Sequence, residues 1–232
     1  MIPAGSRIAF VDGMRLGLGA AAPVFVLAVT FGAAAVSNGW GTALPVLFSM
    51  AAFSGSAQFT LLASLSSGSA LAAVSAATLI NARYLVMSVA VNDSLTGGRL
   101  RRMLQAQTLV DASFVIAHRG DGRFDVASLI GASVPQWLAW VSGTAIGAVA
   151  APSADLVQTL GVDAAFPAFF LLLAVDELRT SARARLATAV GATIAGGLLF
   201  VTTPANALLA AVAGAAVGLA PTPRRPWRSR TR

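Results

Sequence analysis

Residues 44–65 read LPVLFSMAAFSGSAQFTLLASL, and the way this stretch is placed decides the topology of the chain. Its flanks are apolar, but its middle, FSGSAQF at residues 53–59, carries two serines, a glycine and a glutamine in close succession. Ser54 and Gln58 stand four apart on one helical face, and Gly55 removes side-chain bulk beside them, so a helix here carries a polar, donor-rich notch. Two readings follow. The notch is either a small-residue packing seam in which Gln58 bonds a neighbouring helix, or a weak point at which the helix breaks and lines a site.

The surrounding chain of 232 residues is 56% hydrophobic and 11% charged, with a mean hydropathy of +0.77. Soluble domains carry about a quarter charged residues, so this composition suits lipid as its solvent. There is no cysteine, which excludes disulfides, thiolate metal sites and cysteine nucleophiles. The opening MIPAGSRIAF lacks the charged region, compact apolar stretch and small-residue cleavage site of a signal peptide, so the first helix is expected to be retained. All 16 basic residues are arginine, and nearly all lie in breaks between apolar runs. That distribution marks topology and attraction to anionic lipid headgroups, with no expectation of nucleic acid as a partner.

Apolar segments run from Leu16 to Ser37, Leu44 to Ser66, Ser69 to Asn92, Val126 to Ala151, Ala164 to Val175, Leu186 to Thr202 and Ala205 to Ala220. They are too long and too uniformly apolar for barrel strands, and backbone groups in hydrocarbon must be satisfied internally. The expected fold is therefore an all-α integral membrane protein of about seven transmembrane helices. Arginines cluster after the third segment (Arg99, Arg101, Arg102, Arg119, Arg123), after the fifth (Arg179, Arg183, Arg185) and in the tail from Arg224 to Arg232. The positive-inside rule makes those three regions cytoplasmic. If the second segment spans once, the N-terminus lies outside and Arg7 and Arg15 sit on the wrong side; a re-entrant second segment returns it to the cytoplasm. The expectation is the first, with the second as its alternative.

An internal repeat is also expected. GAAAPVFVLAV (Gly19 to Val29) resembles GASVPQWLAWV (Gly131 to Val141), AATLINARYL (from Ala76) resembles GATIAGGLLF (from Gly191), and AAFSGSAQF faintly echoes AAFPAFFLL (from Ala164), all in the same order. Three segments per unit imply an inverted three-plus-three core, repeat one near residues 7–92 and repeat two near 123–203, with one helix added. One transmembrane domain over residues 1–220 and a basic tail over 221–232 complete the expected organisation.

Helix-weakening residues take matching places in the two halves: Ser54 and Gly55 against Pro167, Asn81 against Gly196. Paired interruptions point to a substrate site at the midplane of a transporter. Arg83 is the most telling residue, because an arginine near a helix centre costs about 2.5 to 3.5 kcal/mol and faces a cavity, a partner or a substrate unless it snorkels. Asp163 either caps a helix or carries a proton, and Asp111 lies in an amphipathic, interfacial or re-entrant stretch, MLQAQTLVDASFVIAHR. Trp137 and Trp140 belong to an interfacial belt or pack. Catalysis is not expected, because the lone His118 sits in a charged link and no transmembrane lysine offers a base. No Walker loop, dinucleotide fingerprint or metal-ligand cluster appears, so no cofactor is expected.

FSGSAQF, INARYL, VDASF, WLAWVSGTAIGA and LGVDAAFPAFFLLL, in this order, give the chain a resemblance to the AzlC family over roughly residues 5–215. These are the large subunits of bacterial branched-chain amino acid exporters. The resemblance implies a secondary transporter of the cytoplasmic membrane that exports branched-chain amino acids, often methionine too, with a small hydrophobic AzlD-type partner subunit. It implies substrate-binding roles for Ser54, Gly55, Ser56, Gln58, Asn81 and Arg83, and makes Asp111 and Asp163 the candidates for proton coupling. The chain departs from the family pattern at Tyr84, where a histidine is common, and at Ala112, where a glutamate is common.

Overall fold

The computed structural model describes residues 4–67, 69–120, 122–150, 182–198 and 200–202, with positions 175 and 210. The chain forms two compact units, Met1–Phe169 and Phe170–Arg232. Among the described residues the regular structure is helical: α1 (Ala4–Ser37), α2 (Ala43–Ala51), α3 (Gly55–Ser67), α4 (Ala70–Ile80), α5 (Arg83–Val91), α6 (Arg99–Ala106), α7 (Asp111–Ala117) and α8 (Val126–Ala150) in the first unit, α9 (Ala182–Leu198) in the second.

The first unit is built on α1 and α8. A Cβ added to Gly13 or Gly17 would run into the backbone of Ser128 or Ala132, and one added to Gly32 into Thr144. From the other side Gly131, Gly143 and Gly147 press on the carbonyls of Phe10, Phe25 and Val29. Glycines on both surfaces let the backbones touch, which is how helices associate where no hydrophobic drive operates between them. The paired numbers rise together, so α1 and α8 run parallel. An axis that inverted the second half would set the stretches after Gly19 and Gly131 antiparallel. The expected inversion finds no support in this pair of helices, which the glycine seam holds in one direction.

Two described stretches, Gly5–Ser37 and Ala70–Ser94, are long and apolar enough to cross a bilayer. The second comprises α4, α5 and a 3-10 turn at Asn92–Ser94, and it bends at its middle. There Ala82, Tyr84 and Leu85 donate to carbonyls three residues back, at Leu79, Asn81 and Ala82, a tightening that marks a hinge in an otherwise helical run. Leu71, Val74, Leu85, Val86 and Val89 are exposed along this rod, as suits a face turned to lipid.

The segment quoted at the outset is two helices, α2 and α3, in place of one continuous run. Nine residues of continuous helix would separate Ser49 and Gln58 by about 13 Å, yet their side chains are hydrogen-bonded at 3.1 Å. The chain doubles back at residues 52–54. Since α2 follows the end of α1, and Phe59 of α3 meets Phe31 of α1 at a centroid distance of 5.4 Å with Leu62 and Ala35 in the same apolar cluster, the α2–α3 hairpin enters and leaves at the far end of α1. A second, shallower hairpin, α6–α7, enters and leaves at the opposite, arginine-rich end, where Arg102 bonds Asn92 and the amide of Phe124 bonds Ser94. Met103, Leu104 and Leu100 of α6 are exposed while Gln105 is buried against the amide of Thr96. Arg99 and Arg101 are exposed beside those apolar side chains, an amphipathic make-up that suits a helix lying at a headgroup surface.

In the second unit, α9 begins four residues before the expected sixth segment and includes Gly196 without a break. The fifth and seventh segments, Pro167, Asp163 and the basic tail lie outside the described residues.

Candidate functional site

Two polar assemblies sit where the hairpins meet the helices, and they divide the residues singled out in the sequence. The first is closed. The indole Nε1 of Trp140 donates to Gln58 Oε1 at 2.7 Å, and Gln58 Nε2 donates to Ser49 Oγ. Thr144 spends its hydroxyl hydrogen on the carbonyl of Trp140 at 2.8 Å, so Ser49 is the donor in the 2.9 Å bond to Thr144. The ring closes on Trp140 within a single turn of α8. Gln58, Ser49 and Thr144 are each 0% exposed, and Phe31 and Phe59 enclose the indole at centroid distances of 6.1 and 6.5 Å. Gly55 belongs here by its lack of a side chain: a Cβ would stand 2.7 Å from the Trp140 ring. This assembly pins the α2–α3 hairpin to α8.

The second assembly is open. At the bend, Ser54 Oγ donates to Asn81 Oδ1 at 2.6 Å and stands 3.5 Å from Ser56 Oγ. Arg83 Nη2 donates to Ser56 Oγ at 2.9 Å, lies 3.5 Å from the Tyr84 hydroxyl and pairs with Asp111 Oδ2 at 3.1 Å. The two serines are buried, whereas the side chains of Arg83 and Asp111 are 36% and 57% exposed. Arg83 Nε is buried and has no partner among the described residues. An unused charged donor of this kind is costly unless something else comes to meet it.

The local sequence explains both placements. Ser54 accepts the amide of Gln58 through its carbonyl, which starts α3 at Gly55, so the FSGSAQF notch becomes a hairpin tip with its serines aimed at the bend. The tip of the other hairpin arrives from the opposite end, where Gln107 Nε2 donates to the carbonyl of Ala51 at 3.0 Å and Asp111 opens α7. Arg83 therefore stands between two hairpin tips, at the bend of a helix of membrane-crossing length.

Ser54, Ser56, Asn81, Arg83 and Asp111 are brought together as a group; Gln58 and Gly55 belong to the closed ring, and Asp163 is outside the described residues. Sequence reasoning missed Ser49, Thr144 and Gln107, and it read Trp140 as belt or packing. Tyr84 was noticed only as a departure from a pattern, yet it borders the Arg83 guanidinium, whose carbon lies 5.1 Å from the phenol centroid.

Helices of bilayer-crossing length and a glycine-seamed apolar pair suit a helical membrane protein. The AzlC protein family model matches residues 20–154, and the chain belongs to that family. It is 28% identical over 216 residues to the inner membrane protein YgaZ of Escherichia coli (strain K12), covering 86% of this chain and 84% of that protein. It is 30% identical over 193 residues to an uncharacterized membrane protein of Archaeoglobus fulgidus, covering 81% and 84%. No solved structure matches significantly.

Proposed function

We propose that the chain is a secondary transporter that exports branched-chain amino acids, with methionine as a further substrate, across the cytoplasmic membrane with a small hydrophobic AzlD-type partner subunit. The observation that carries this reading is Arg83 Nε, buried and without a partner among the described residues, at a mid-helix bend between two hairpin tips. A guanidinium edge of this kind takes a carboxylate through two parallel N–H bonds, and the hydroxyls of Ser54 and Ser56 offer neutral hydrogen bonds beside it. Re-entrant backbone at membrane depth is tolerated where it is buried in protein or lines a water-filled cavity, and a site at such breaks is the pattern of secondary transporters. Membership of the AzlC family supports a transport role, and the cargo class is the one that the family resemblance implies.

The orientation follows from the hairpins. Chain entering α1 at the arginine-rich end crosses once in α1, once in α4–α5 and once in α8, and both hairpins return to their own side. Carrying the remaining three apolar segments as single crossings gives six spans with the N-terminus, the three arginine clusters and the tail all cytoplasmic. Arg7 and Arg15 then obey the positive-inside rule, so the N-terminus is cytoplasmic in this reading, in place of the external position expected from seven single crossings.

Two measurements test it. Cells expressing the chain with its partner should lose labelled leucine faster than controls; no difference with leucine, valine, isoleucine and methionine all tried would sink the export reading. A side-sensitive reporter on the N-terminus should signal from the cytoplasm, and a periplasmic signal would undo the six-span arrangement.

A further inference from the structure

Arg83 presents two N–H groups along one edge, Nε and Nη2, and a carboxylate seated side-on takes both. Asp111 takes only Nη2, at 3.1 Å, and shares it with Ser56 and Tyr84, while Nε is left empty. Asp111 is thus an incomplete occupant of a carboxylate site. It also follows directly on the tip of the α6–α7 hairpin, which is tied to the opposing hairpin by Gln107 and the carbonyl of Ala51. Both ties are polar, and Gln107 and Asp111 are exposed. Pairs of this sort are weak and exchange readily.

We propose, resting on the reading of this site as one for amino acids, that Asp111 is a latch. Its carboxylate holds the α6–α7 tip against the bend until a substrate carboxylate takes the Nε and Nη2 edge of Arg83. Asp111 is then displaced and Gln107 leaves Ala51, so that the α6–α7 tip parts from the bend as the substrate enters from the arginine-rich end. The differential affinity that such a switch requires lies in two hydrogen bonds replacing one. Asp111 acts here as a positioning residue and its charge is not consumed. The latch also explains why an acidic residue stands beside a cation that the substrate needs: the site is not left with an unpaired arginine when empty.

The chain contains no cysteine, so a pair introduced as Ala51→Cys and Gln107→Cys reports on the two tips alone. The rate at which a short bifunctional thiol reagent bridges the pair is measured on the full chain in lipid nanodiscs. Saturating leucine should slow bridging about tenfold, an ordinary coupling between linked events, and leucinamide, which lacks the carboxylate, should leave the rate unchanged. Asp111→Asn should slow bridging to a similar degree with no ligand present, and Asp111→Glu should restore it. Bridging of Asp111→Asn at the unmodified rate overturns the latch, and so does leucinamide acting as leucine does, which decides the matter even where Asp111→Asn fails to fold. The two readings fail separately. Unaltered bridging with all four amino acids counts against the amino acid site while the Asp111→Asn arm still reads the latch. Leucine slowing the reaction while Asp111→Asn does not keeps the site and removes the latch.

Discussion

Gln58 and Arg83 lie in neighbouring helices of the same apolar protein, and both were singled out by the same reasoning, yet their surroundings differ in one physical respect. Around Gln58 the amide oxygen, an amide hydrogen, two hydroxyls, the indole and one backbone carbonyl satisfy one another in a ring. Around Arg83 a buried donor has no partner among the described residues, and Asp111, which pairs with Nη2, is half open to solvent. A closed network rigidifies and specifies, whereas an incomplete one keeps a donor that a ligand can satisfy. The comparison separates scaffold from site without appeal to position in the sequence. It turns Gln58 into the fastening of the α2–α3 hairpin and leaves Arg83, Ser54, Ser56 and Asn81 as the surface that hairpin presents.

The sharpest way to break this comparison is to remove the open side. Arg83→Ala deletes the carboxylate edge and strands Asp111, and it should lower leucine export by about a hundredfold or more, with the protein still folded by size-exclusion elution and thermal unfolding. Arg83→Lys keeps the charge and loses the planar fork, so an intermediate loss of about tenfold is expected. Full export with lysine would mean that Arg83 serves only as a snorkelling charge, and that the open assembly is as structural as the closed one.

Much of this was legible in the residues, for reasons that also explain what was not. Arg83 and Asn81 announced themselves because a guanidinium in an apolar run is expensive, and the serines of FSGSAQF because a glycine sits among them. The direction of the hairpin was not legible. A run with a polar notch reads the same whether it crosses or turns back, and only the pairing of Ser49 with Gln58 distinguishes the two. Ser49 and Thr144 look like any hydroxyl in a helix until the fold sets them 2.9 Å apart. The two glycines matched in the repeat take different places: Gly131 presses on the carbonyl of Phe10, whereas a Cβ on Gly19 would meet nothing. Charge carries the alternative that the proposed topology adopts: Arg7 and Arg15 fit the positive-inside rule only if the second segment turns back.

A smaller effect sharpens the closed side. Trp140→Phe keeps the aromatic volume beside Phe31 and Phe59 but removes the donor to Gln58 Oε1, leaving a fully buried carbonyl oxygen unsatisfied at a cost of about 1 to 3 kcal/mol. Gln58→Leu removes the other partner, and with both replaced the penalty should shrink, because no polar atom of that pair remains stranded. Thermal unfolding of the two single variants and the double variant in detergent measures this non-additivity directly. The same variants should keep the affinity for leucine within a factor of about two, since neither residue lies on the Arg83 edge. A large loss of affinity with little change in stability would move Gln58 from the fastening to the site, and the division drawn between the two assemblies would have to be redrawn around it.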